Sequence, residues 1–465
     1  MTSSTRLIAS TVAGGVVLGT WYALSPLTVW FVVVLAALGR AAVHGLPADE
    51  RRRVVVILAV AVSLRLLALA VLFLGSDHGR ATSFFWDGDG VYLKLRGLWI
   101  RNVWLGLPVS PTDLADAFQP YGWTTYLYVI AYLQYLVGPS PYGIHLLNVA
   151  IFVATATLLY RLARSAFGPW AAVLGLALLL FLPTPFLWSI SALKESLYVF
   201  LETCAIVAAI AMVRTEGWAL KLAAFTLLVA AFEVNGTVRA GALAIGALGL
   251  TIGLLGGAAA RRLSVAVLLV ALLPLVSYLA LRRDDVQARL TSQLATSAEM
   301  HLGNVRTEGH GYKLLDQRFY GGAYDARYVT MTPMESARFV TRAAISFVLV
   351  PLPWQMESLQ EIVFLPQQVA WYLMALLALV GVCAGLRRDA LVTCLLAGFT
   401  VAGGAAVALN SGNIGTMVRH RDTIVPFVVW LSAFGLVQVV SSVARVSAAP
   451  GLPGLDIETN PYASS

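Results

Sequence analysis

The stretch "RRRVVVILAVAVSLRLLALAVLFLGSDHGRATSFFWDGDGVYLK", residues 51–94, begins on three arginines, continues through a long apolar run and ends on two aspartates, Asp87 and Asp89. One helix needs about 20 apolar residues to cross the hydrocarbon core of a bilayer, so residues 54–75 read as a membrane span. Basic residues are retained on the cytoplasmic side. Arg51, Arg52 and Arg53 therefore hold the start of this helix inside, and Asp87 and Asp89 emerge at its outer lip.

The rest of the chain repeats the pattern. Its 465 residues are 59% hydrophobic and 12% charged, with a mean hydropathy of +0.78, values that exclude a soluble domain. The apolar blocks have the length of helices, and the short alternating segments of a membrane barrel are absent. The expected fold is an all-α polytopic membrane protein with about 12 transmembrane helices and outer-face juxtamembrane helices. The net charge of +8 is scattered through the connections between apolar blocks, so it sets topology and does not point to nucleic acid. Cys204, Cys383 and Cys394 all lie inside apolar runs, which supports neither a disulfide framework nor a zinc site. The first 24 residues lack a small-residue cleavage site and read as an uncleaved helix.

Threading by the positive-inside rule places a hairpin in residues 1–50, with helices at 7–23 and 27–40, and a core in 51–281 whose first outer loop is 76–141. Within the core, spans are expected near 142–160, 169–187, 190–213, 218–234, 238–258 and 263–281. Residues 121–137 cannot be a full span without reversing that order, so they read as re-entrant or interfacial. An outer subdomain occupies 282–340. The C-terminal helices fill 341–445, with spans near 367–386, 390–409 and 423–444 and a partial stretch at 343–353, and 446–465 is a cytoplasmic tail.

Two places break the charge rule or crowd charge at the membrane lip. Asp87 and Asp89 follow Phe84, Phe85 and Trp86, which would set them at headgroup depth, and Gly88 and Gly90 permit close turns. Acids ending a helix in water are the plainer reading; carboxylates placed to act at the lipid boundary are the functional one. Arg419, His420 and Arg421 fall on the outer face, where positive charge is disfavoured. They read as lipid-headgroup contacts or as forked donors for a phosphate. Lys94 and Arg101, seven residues apart, share a helical face in a Trp-containing segment suited to the bilayer surface. Glu195, after Lys194, opens a helix on the outer side, as a helix-start acid or as a cavity residue. Arg65 and Glu202 both fall near mid-bilayer, which suggests a buried ion pair.

The order of these elements resembles the GT-C superfamily of polyprenyl-phosphate-sugar-dependent glycosyltransferases, the group of protein mannosyltransferases and lipid A aminoarabinose transferases. The resemblance is carried by "WDGDGVY", by "FQPYGWTTYLYVIAYLQYLVGPSPYGIHLLN", by "LLYRLARSAFGPWAAVLGLALLLFLPTPFLWSISALKESL" and by the late Arg-rich loop. It departs in its extra N-terminal hairpin and in carrying Asp-Gly-Asp where many members carry Asp-Glu. It implies a plasma (inner) membrane enzyme with its active site on the outer, periplasmic face, moving a sugar from a polyprenyl-phosphate carrier to an envelope glycan, lipid or protein. In that frame Asp87 and Asp89 are the catalytic pair, with Asp87 as base. Asp89 orients the acceptor or shares a divalent cation (Mg or Mn) with Asp87. Arg419, His420, Arg421, Lys94, Arg101 and Glu195 are substrate-binding candidates. The rival expectations are a polymerase or ligase acting on polyprenyl-linked glycans and a flippase or transporter, the last of which would place its site at the midplane.

Overall fold

The computed structural model describes residues 11–15, 26–75, 88–139, 142–307, 310–321, 329–355, 362 and 365–447. Most of the expected first span (7–23), Asp87 and the expected tail beyond Ser447 lie outside the described residues. Among the described residues there are helices and loops and one isolated β-bridge, Gly311 to Asn413. Ten helices are long and apolar enough to cross a membrane, and a bent pair makes an eleventh candidate. They are α1 (Pro26–Val43), α2 (Ala48–Leu74), α6 (Gly143–Phe167), the pair α7 (Pro169–Phe181) and α8 (Pro183–Ser189), and α9 (Glu195–Arg214). Next come α10 (Trp218–Val238), α11 (Ala242–Arg261), α12 (Leu263–Leu281), α15 (Leu365–Arg388), α16 (Ala390–Asn410) and α18 (Val425–Ser447). Helices dominate because hydrocarbon offers backbone N–H and C=O groups no partner, and a helix satisfies them internally. The chain is thus a polytopic helical membrane protein.

Four shorter helices precede or interrupt this bundle: α3 (Gly88–Trp104), α4 (Pro111–Phe118), α5 (Tyr126–Val137) and α17 (Ile414–Arg421). The 12 residues of α5 reach only about 18 Å at 1.5 Å per residue, well short of the core thickness. The segment 121–137 is therefore not a full span, in agreement with its sequence reading. Two further helices, α13 (Asp284–Val305) and α14 (Pro333–Leu349), close over a small apolar core of Leu302, Leu314, Phe319 and Phe339 that rests on Ala408 of α16.

The charged residues sort to two ends. At one, Glu50 of α2 accepts hydrogen bonds from Tyr160 (2.7 Å) and from both forks of Arg164 (2.8 and 2.9 Å). There too Arg214 pairs with Asp389 at 2.5 Å and Arg388 donates to the Ala166 carbonyl at 3.2 Å. The arginines expected inside thus gather together. At the opposite end Asp89 meets Arg419, Asn304 donates to the Asn410 carbonyl, and Gly311 bridges Asn413. The described parts of the three polar segments expected on the outer face, beginning near 76, 282 and 410, therefore share one end of the bundle.

Two departures from the expected spans shape the functional end. The expected span 169–187 is broken at Leu182 by Pro183 and Pro185, with α7 and α8 meeting at 64°. Proline lacks the N–H that would continue the ladder and clashes with the preceding turn. The expected span 190–213 starts only at Glu195, because residues 190–194 form an irregular buried stretch. Its carbonyls are not left orphaned: the Asn148 amide donates to Ser191 (2.8 Å) and Leu193 (2.7 Å), and the His145 ring meets the Ile190 carbonyl at 2.7 Å. Non-helical backbone is tolerated at membrane depth when protein groups satisfy it. The result is a fixed platform for Lys194 and Glu195.

The expected Arg65–Glu202 ion pair is not formed. Arg65, fully buried in α2, donates to Ser189 Oγ (2.8 Å), to the Ala61 carbonyl (3.1 Å) and to the Leu180 carbonyl (3.0 Å), and lies over the Phe186 ring. It serves the broken helix, supplying a donor to a carbonyl at the end of α7. Glu202 instead accepts from Asn235 of α10 at 3.1 Å. Matched depth along two helices does not fix which way each faces.

Candidate functional site

Four elements meet at the end of the bundle away from the Glu50 cluster: the start of α3, the start of α9, the residue that ends α10, and α17. The fold of α17 is set by Asn413, whose side chain accepts from the N–H groups of Gly415 (2.8 Å) and Thr416 (3.4 Å) as an N-cap. Its last turn carries Arg419, His420 and Arg421, where cations are favoured by the helix dipole. Glu195 and Asp89 each occupy the first turn of a helix, where the dipole favours an acid.

Arg419 joins them. Its Nε donates to Glu195 Oε1 at 2.9 Å and its Nη1 to Asp89 Oδ2 at 2.6 Å, with the guanidinium 5.8 Å above the Trp188 ring. The two acids differ in depth, since the Glu195 side chain is 8% exposed and that of Asp89 is 70% exposed. Burial opposes the Arg419 charge, but Glu195 and Asp89 outweigh it and hold its pKa above the ordinary value.

Around this bridge stand further cations. Burial pushes the Lys194 pKa down, opposed by Glu195 and assisted by Arg239 and Arg419. His420 is driven well below the usual histidine value, first by burial and then by Arg239, Arg419 and Lys194. The Arg239 guanidinium lies 5.3 Å over the Tyr198 ring. Neither the Lys194 ammonium nor the Arg239 guanidinium has a hydrogen-bond partner among the described residues. Two cations without hydrogen-bonded partners beside Arg419, whose Nε and Nη1 are committed to Glu195 and Asp89, are suited to an anionic ligand.

Beneath them Asp422, at the C-cap of α17, accepts from Thr184 Oγ1 at 2.9 Å, and burial raises its pKa to about 7. It lines a cavity of about 20 Å³ with Glu195, Trp188, Ser189 and Ser196. That is room for about one water molecule.

Of the residues expected from sequence, Asp89, Glu195, Arg419 and His420 come together, and Asp87 lies outside the described residues. Arg421 does not join them. It is 3% exposed, donates to Gln368 Oε1 at 2.8 Å and to the Val350 carbonyl, and sits 4.9 Å over the Trp371 ring. These contacts tie α17 to α15 on the side away from Arg419, because alternate residues on a helix point to different faces. Arg101 is about 18 Å along α3 from Asp89, and it donates to the Gln134 carbonyl of α5 at 3.1 Å. Lys94 is half-buried on the same helix between them.

Arg419 engages Asp89 Oδ2, and no cluster of three ligand-type residues occurs among the described residues. Sequence reasoning missed Arg239 and Asp422 and passed over Lys194. In the sequence Lys194 and Arg239 fall inside the expected spans 190–213 and 238–258, and only the late start of α9 at Glu195 and the end of α10 at Val238 place them between helices.

Comparison of the chain with known protein families, with characterised proteins and with solved structures finds no match.

Proposed function

We propose that the protein is a membrane glycosyltransferase that moves a sugar from a polyprenyl-phosphate carrier to an envelope acceptor on the outer face of the plasma membrane. The observation that carries this reading is the juxtaposition, at one end of the bundle, of Asp89 and Glu195 with Arg419, Lys194, Arg239 and His420. The layout resembles GT-C enzymes, and the residue types suit the reaction.

In the reaction, the acceptor oxygen forms a bond to the anomeric carbon as the bond from that carbon to the phosphate oxygen breaks. The phosphate leaves with the electron pair, and a carboxylate takes the acceptor proton. The leaving group is a stable anion, so fixed positive charge is required and no acid is needed for it. Lys194 and Arg239 hold the phosphate, and His420 donates one hydrogen bond to it. Glu195 and Arg419 keep that arrangement rigid from below. Asp89, at the exposed lip, orients the acceptor, and Asp87, two residues earlier in the sequence, is the base. No step requires a metal.

The midplane offers less support to a transporter. Arg65 and Glu202 are each satisfied by separate neutral partners, with no ion pair between them among the described residues. The test is equilibrium binding of a polyprenyl-phosphate sugar to purified protein. Lys194→Gln with Arg239→Gln should weaken binding at least ten-fold, on the scale of ~1.5 to 3 kcal/mol for a charge-assisted hydrogen bond. Binding unchanged in the double variant would remove the assignment.

A further inference from the structure

At the other end of the bundle, among the gathered arginines, a groove of about 550 Å³ lies between the starts of α2 and α7, lined by Asp49, Arg52, Arg53, Val56, Ile57 and Val173. Its rim is polar and its floor apolar. Arg53 stacks 4.5 Å over the ring of Trp170, which is 63% exposed, and spends only its Nε on a carbonyl of its own helix, that of Asp49, at 3.3 Å. Neither Arg52 nor Arg53 forms an ion pair among the described residues. Glu50, the acid nearest to them in sequence, is occupied by Arg164 and Tyr160. With Asp49 on the rim, the two arginines leave one net positive charge, which complements a phosphodiester monoanion.

The floor continues out of the groove. Val56, Val60 and Leu67 are exposed, and their spacings of four and seven residues put them on one face of α2. That track runs about 16 Å along the helix, close to half the thickness of a hydrocarbon core. A free phosphate would use the rim and leave this track bare. An amphiphile with an anionic head and an acyl chain uses both, and an exposed Trp at the rim marks the depth of the headgroups.

We infer that this groove is a binding site for one anionic phospholipid, its phosphate between Arg52 and Arg53 and one acyl chain along Val56, Val60 and Leu67. Each cation near a lipid surface contributes about 1 kcal/mol, a factor of about five. Removing both should therefore weaken binding about 30-fold. The site is independent of the chemistry proposed at the other end.

The experiment uses the full chain in mild detergent, measuring by native mass spectrometry the lipid retained from phosphatidylglycerol, from phosphatidylcholine with the same chains, and from inorganic phosphate. Thermal unfolding is followed in parallel. The wild-type chain should retain one phosphatidylglycerol and gain stability from it, with little effect of phosphatidylcholine or phosphate. Arg52→Gln with Arg53→Gln should lose both effects, while Arg261→Gln with Arg262→Gln, at the α11–α12 connection, should keep them. If the first double variant unfolds too readily to compare, Val56→Asp offers a second route by blocking the chain track and should lose the same lipid. Equal loss in the two arginine pairs, or retention in the Arg52, Arg53 variant, would overturn the site.

Discussion

Replacing Arg419 by Gln should expose how unequally its two acids depend on it. Glu195 is 7% exposed, its Oε2 has no hydrogen-bond partner, and Arg419 Nε is the side-chain donor to its other oxygen. Removing one member of a buried ion pair costs ~3 to 5 kcal/mol, because a desolvated charge is left behind. Arg419 retains 23% of its side-chain exposure, so water reaches one side and the lower end, about 3 kcal/mol, is expected. Asp89 is 70% exposed, and an ion pair of that kind contributes at most about 1 kcal/mol. The assay is a double-mutant cycle by reversible unfolding in mixed micelles. Adding Glu195→Gln to Arg419→Gln should recover most of the lost stability, since both charges are then gone, whereas adding Asp89→Asn should recover almost none. Equal recovery from the two acids, or a stable Arg419→Gln protein, would refute the reasoning.

Asp422 and His301 should give opposite pH slopes. Burial raises Asp422 to about 7, so the folded state binds the extra proton and stability falls as pH rises from about 4 toward about 7. Burial lowers His301 to about 4, so the unfolded state binds the extra proton and stability rises over about 4 to 6.5. Asp422→Asn should therefore unmask the rising limb in unfolding measured against pH; an unchanged profile would contradict the assignment. At Gly381 an added Cβ would lie 1.8 Å from the Leu431 carbonyl, while at Gly39 nothing lies within 4 Å. Gly381→Ala should destabilise the protein by at least the ~1 to 3 kcal/mol of ordinary overpacking, and Gly39→Ala should be neutral or slightly stabilising, as read by melting temperature. Because Arg65 and Glu202 have separate partners, the effects of Arg65→Met and Glu202→Gln should add to within about 0.5 kcal/mol. A larger coupling would restore the ion pair.

The bundle was legible in the sequence because span length and loop charge are one-dimensional properties. Arg51 to Arg53, Arg164 and Arg388 fix which helix ends lie together, and they do so whatever the helices' rotations. What was not legible depends on rotation and on broken backbone. Arg419 and Arg421 sit two residues apart yet face opposite partners, Glu195 and Gln368. Arg65, expected from the sequence at the depth of Glu202, turns to the carbonyl of Leu180 that ends α7, a partner created by Pro183 and Pro185. Lys194 and Arg239 fall inside the expected spans, and only the irregular stretch 190–194 and the end of α10 bring them beside Arg419.

The most direct test of the central claim is a turnover assay with purified protein, a polyprenyl-phosphate sugar and a crude envelope acceptor fraction. It follows release of polyprenyl phosphate. The account predicts release by the wild-type chain and a fall of about 10² to 10⁴ in turnover for Asp87→Asn, the range for loss of a general base. Donor affinity should be largely retained in Asp87→Asn and lost in Lys194→Gln with Arg239→Gln. An Asp87→Asn protein with wild-type turnover would contradict the assigned base, and donor that is bound but translocated intact across a vesicle membrane would contradict a transferase.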